Sequence, residues 1–94
     1  MIAKLRKLEN KLAKATDTHY VATMDKSWDK EELESVYAIV TAEISEAQHV
    51  LRVAEEEWDE RMECHFGVCE VLIAELETMQ AFLKVRIKRA NWRY

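Results

Sequence analysis

The chain reads as all-α, and three observations carry that reading. There is no proline in 94 residues, so nothing inside the sequence forbids helix. There is one glycine, Gly67, and therefore one position where a left-handed turn is sterically free. Strand signals are absent: there is no Asn-Gly or Asp-Gly hairpin pair and no sustained alternation of apolar and polar residues. The composition, 49% hydrophobic and 34% charged, is too apolar for a disordered chain. At this length one domain with one modest core is expected, spanning residues 1–94. No apolar run approaches the roughly 18 residues of a membrane span.

Each element has its own justification. The first helix is expected over about residues 2–16, where Ile2, Leu5, Leu8 and Leu12 form a narrow stripe among lysines. Residues 17–28 (DTHYVATMDKSW) carry threonines and turn formers with no helical period, so they read as a loop. Its His19, Tyr20 and Met24 are expected to pack. The second helix is expected over about 28–66, capped by Ser27, with Asp29, Glu31 and Glu32 favouring its dipole. Its stripe runs Leu33, Tyr37, Val40, Ile44, Ala47, Leu51, Ala54, Trp58, Met62, close to a heptad seam. The third helix is expected over about 68–92. One face carries Cys69, Ile73, Leu76, Leu83, Ile87 and Ala90. Val71, Ala74, Phe82, Val85 and Trp92 lie around the other. A helix apolar on two sides is buried on two sides, so Val71, Ala74, Phe82 and Val85 are expected at an oligomer interface, most simply a homodimer.

Gly67 decides between two topologies. As a C-cap it turns the chain into an antiparallel hairpin, which the first helix completes to a three-helix bundle. This is the favoured reading, because it returns the basic C-terminus to the acidic start of the second helix. The alternative is one continuous helix over about 28–92, some 90 Å long, in a coiled-coil dimer.

The net charge of −4 is distributed in blocks. Residues 1–16 carry Lys4, Arg6, Lys7, Lys11 and Lys14 against Glu9. Residues 31–63 carry eleven acidic groups against Arg52 and Arg61, and residues 81–94 carry five cations and no acid. The C-terminal segment supplies Lys84, Arg86, Lys88, Arg89 and Arg93 with the aromatic Trp92 and Tyr94. Those seven residues are the candidate contacts to a partner: an acidic protein surface, nucleic acid or anionic lipid. The opposite pole is acidic, with Glu56, Asp59, Glu60 and Glu63 as its candidate face, and such a run can also imitate a phosphate backbone.

Chemical motifs are sparse. Glu46 and His49 have E-x-x-H spacing, but on one helix His49 turns away from the inner face that Ala47 and Leu51 define. Cys64, His65 and Cys69 lack the fourth ligand and the second pair of a zinc site. No metal, cofactor or catalytic residue is expected. The thiols are read as reduced, in a cytoplasmic protein. Glu43-x-x-Glu46 and Glu56-x-x-Asp59 resemble the E-x-x-E and E-x-x-D pairs of the all-α nucleoside triphosphate pyrophosphohydrolases, a resemblance of a few residues that implies Mg²⁺ between two packed helices. Here both pairs are expected on one helix, with directions that diverge, so the enzyme is the remotest alternative.

The functional expectation is a non-catalytic protein-binding module: a small helical regulator, inhibitor or scaffold acting on a larger assembly. Accessory proteins of viruses and mobile elements have this build. The alternatives are nucleic-acid binding through the basic first helix and C-terminal tail, and an acidic mimic of nucleic acid.

Overall fold

The computed structural model describes residues 1–24 and 28–91. Every element among them is helical: α1 (Ile2–Met24), α2 (Lys30–Glu56), a single 3₁₀ turn (Glu60–Met62) and α3 (Glu63–Asn91). The three helices pack side by side. The long axis measures 54 Å and the two short ones 20 and 15 Å. The radius of gyration is 15.2 Å, against about 12 Å for a spherical domain of this length.

The first helix extends well past the expected end at residue 16, and most of the expected 17–28 loop is helix. The reason lies in the side chains. The inward stripe Leu5, Leu8, Leu12, Ala15 continues through Thr16, His19 and Thr23, all buried. Those three are polar, so the stripe loses its apolar signature while keeping its period. Each has a partner. The Thr16 hydroxyl donates to the Leu12 carbonyl (2.7 Å) and the Thr23 hydroxyl to the His19 carbonyl (2.6 Å), the i−4 bond by which threonine is accommodated inside a helix. His19 packs as expected, whereas Tyr20 is exposed.

α2 opens on Asp29, whose carboxylate accepts from the Glu32 N–H at 2.9 Å. The expected cap Ser27 lies outside the described residues. α2 also ends ten residues earlier than expected, at Glu56. Glu55, Glu56 and Glu57 stand together at the negative end of the helix dipole, where acidic groups are disfavoured. Two residues on, Asp59 adopts an extended backbone (φ −139°, ψ 137°) and accepts from the Arg61 N–H, starting the 3₁₀ turn and then α3. Trp58 therefore leaves the inner stripe: it is 48% exposed and meets Phe66 edge-on, with ring centroids 5.4 Å apart. Met62 stays in the core at 0% exposure, reached by the turn rather than by a continuing helix.

A hairpin is thus present, and the chain does not run as one helix from 28 to 92. Its turn is at Glu57–Met62, not at Gly67, which lies inside α3 with no positive φ. A Cβ built on Gly67 meets nothing within 4 Å. Glycine in a helix interior costs roughly 0.5–1 kcal/mol relative to alanine. Gly67→Ala is therefore expected to stabilise the fold by about that amount, read as a higher urea midpoint at unchanged slope. A loss of stability would show that residue 67 serves as a turn.

α1 and α3 run parallel. Near one end the Cys69 thiol donates to the Leu5 carbonyl (3.8 Å), and near the other the Arg86 guanidinium donates to the Thr23 carbonyl (2.7 Å). α2 runs antiparallel to both, tied to α1 by Lys11–Glu46 (3.1 Å) and to α3 by Gln80–Thr41 (2.8 Å). The core between them is Leu33, Val40, Ile44, Ala47, Leu51 and Ala54 of α2 against the α1 stripe and against Cys69, Ile73, Leu76 and Leu83 of α3. Burial pushes the Cys69 thiol up to about 11, with the nearby Glu9 charge adding to it. Cys64 is exposed, and both thiols are free.

Candidate interaction surface

The packing consumes one face of α3 and leaves the other bare. Val71 is 60% exposed, Phe82 55% and Val85 48%, and Ala74 is exposed beside them. These four residues, singled out in the sequence as a second apolar face, are exposed on the side of α3 away from its buried stripe. Val68 and Thr78, also exposed, complete the row. The sequence carried the signal for both, since Val68, Val71, Glu75, Thr78, Phe82 and Val85 follow the 3–4 spacing of a seam. The continuation of α1 adds a flank the sequence reading had no means to place. Tyr20 and Asp17 of α1 and Thr78, Met79 and Phe82 of α3 line an open groove of about 440 Å³ between the two parallel helices.

The charged candidates are divided differently from the expectation. Lys84, Lys88 and Arg89 are exposed on the last turns of α3. Arg86 is half-buried and turned back onto α1 through its bond to Thr23. Trp92, Arg93 and Tyr94 lie outside the described residues. Because α1 and α3 are parallel, the cations Lys4, Arg6 and Lys7 stand at the opposite end of the bundle from Lys84–Arg89. The two basic segments therefore do not form one patch.

The acidic candidates gather around the α2–α3 turn. Glu56, Glu60 and Glu63 are exposed. Asp59 is engaged in the turn itself. The Arg61 guanidinium lies 2.7 Å from its carboxylate, and that bond, together with the Arg61 N–H, holds the Asp59 carboxyl down at about 2. Each block of charge lies at the end of the bundle where the opposite sign prevails. The acidic turn is level with the basic start of α1, and the acidic start of α2 with the basic end of α3. Direct ion pairs between these blocks are absent among the described residues.

The carboxylates with pyrophosphohydrolase spacing do not converge. Glu43 bonds His19 (2.6 Å), Glu46 bonds Lys11 (3.1 Å), Asp59 bonds Arg61, and Glu56 stands free in solvent. α2 is unbroken from Glu43 to Glu56, which separates the two pairs by about 15 Å along the axis. His65 is taken by Glu9 at 2.7 Å, and His49 is exposed on the outer side of α2. Among the described residues no three His, Cys, Asp or Glu side chains group as metal ligands, and no helix is long and apolar enough to cross a membrane.

No protein-family model, curated protein or solved structure matches this chain.

Proposed function

We propose that this protein is a non-catalytic protein-binding module, a small helical regulator, inhibitor or scaffold of the cytosol that docks through the outer face of α3. The observation that carries the reading is the exposed row Val68, Val71, Phe82 and Val85, at exposures of 37 to 60%. A helix whose seam-spaced apolar residues face solvent has the pattern of a surface that closes on another helix. Tyr20 and the groove beside Phe82 add an aromatic shoulder, the kind of anchor that dominates interface energetics. Nucleic-acid binding through a joint basic surface is less well supported, because the cations of α1 and α3 lie at opposite ends of the bundle and the net charge is −4.

The test compares capture by tagged wild-type chain and by Phe82→Lys, with and without nuclease. Phe82 is 55% exposed, so the substitution leaves the helical circular dichroism and thermal midpoint near wild type. The expected result is a stoichiometric protein retained by the wild type after nuclease and lost by Phe82→Lys. Retention of nucleic acid, with proteins released on digestion, would instead move the function to the basic segments.

A further inference from the structure

We propose that the outer face of α3 is a self-association surface, on which a second copy of this chain packs its own α3 in antiparallel orientation. The proposal rests on the protein-docking reading above and names the occupant of the face. The argument is the distribution of charge along it. Glu63, Glu70, Glu75 and Glu77 occupy the first half of α3, and Lys84, Lys88 and Arg89 the last third, all exposed. Within the chain these charges meet opposite charge only at a distance, across to α1 and α2. No acid lies after Glu77 in α3, so the three cations have no acidic neighbour one turn away. Among the described residues none of the seven makes an ion pair. Lys84 and Lys88 stand four residues apart, a like-charge spacing that costs a helix stability by itself.

A second α3 laid antiparallel answers the charges at the two ends of the face in one register. With Val71 opposite the partner's Phe82, Val68 falls opposite the partner's Val85, and by symmetry both contacts occur twice. In that register Glu70 lies beside the partner's Lys84 and Glu63 beside the partner's Arg89. The acidic first turns meet the basic last turns, and Glu75 and Glu77 lie near the two-fold axis. A parallel pair would set acid against acid and base against base along the same seam, which is the repulsive arrangement. Cys64 reports the direction independently, because it precedes Val71 by seven residues and lies on the same row. A parallel pair brings the two Cys64 thiols together. The antiparallel register separates them by about 38 Å along the axis.

The experiment is sedimentation equilibrium of the full chain and two charge-reversal variants, Glu63→Lys/Glu70→Lys and Lys84→Glu/Arg89→Glu. Circular dichroism confirms that each is helical, as exposed positions allow. The wild type is expected at twice the 11.1 kDa monomer mass. Each variant alone should self-associate at least about tenfold more weakly, and an equimolar mixture of the two should recover the dimer. Mild oxidation of the wild type should give no disulfide-linked pair. A wild-type dimer that neither variant weakens, a mixture that stays monomeric, or a high yield of Cys64-linked dimer overturns the proposal. So does a folded wild type that remains monomeric at millimolar concentration. In that case the capture experiment separates the two readings. A protein lost on Phe82→Lys leaves the docking face with a different occupant, and an unaffected capture removes both.

Discussion

Leu76→Ala is expected to cost about 2–5 kcal/mol, the range for a large-to-small change at a core site that cannot collapse. Leu76 is 0% exposed and lies at the middle of α3, where both other helices close over the inner face. The lost leucine atoms leave a void bounded on three sides by helices whose spacing is set elsewhere, by Leu5 and Leu12 on α1 and by Val40 on α2, all at 0–1% exposure. Those neighbours hold the backbones apart, so relaxation is limited and the void persists. Small domains carry about 5–15 kcal/mol in total, so the substitution removes a large share of the stability. For a domain of this size the melting temperature should fall by roughly 10–30 °C. Val21→Ala is the control: Val21 is 71% exposed, and a change of within about 0.5 kcal/mol is expected there. Thermal melts of both variants check the assignment. A Leu76→Ala variant no weaker than Val21→Ala would place α3's inner face outside the core.

The same packing explains what the sequence made readable. The inner faces of α2 and α3 are mostly aliphatic residues at helical spacing, and the residues read as core there, Leu33 through Ala54 and Cys69 through Leu83, are buried, apart from the half-buried Tyr37. The outer face of α3 was legible for the same reason. Two readings failed where the governing interaction is polar. Thr16, His19 and Thr23 occupy core positions with their hydrogen bonds satisfied inside the fold, and a pattern search that weighs only apolar residues sees a gap. The α2–α3 turn is set by three glutamates at a helix C-terminus and by an aspartate cap, whereas the apolar period runs unbroken through Ala54, Trp58 and Met62. Gly67 drew the turn to itself because glycine is the strongest local signal for one, yet a helix tolerates it at modest cost. The relative placement of the basic segments was not readable at all, since it depends on α1 and α3 being parallel neighbours.

The polar part of the core carries the second large effect. His19 Nε2 and Glu43 Oε1 lie 2.6 Å apart, with side-chain exposures of 11% and 19%, and they join α1 to α2 near the level where α1 was expected to have ended. Replacing either partner alone leaves the other largely buried without its hydrogen bond. His19→Leu and Glu43→Leu are each expected to cost about 1–3 kcal/mol, the range for a stranded buried polar group. The double variant removes the need along with the bond and fills the site with apolar atoms. It is expected to be less destabilised than the sum of the singles, by about 1 kcal/mol or more. Urea melts of the four proteins yield this coupling directly. Additive losses would mean that the two side chains do not meet, and hence that residues 17–24 do not continue α1 against α2.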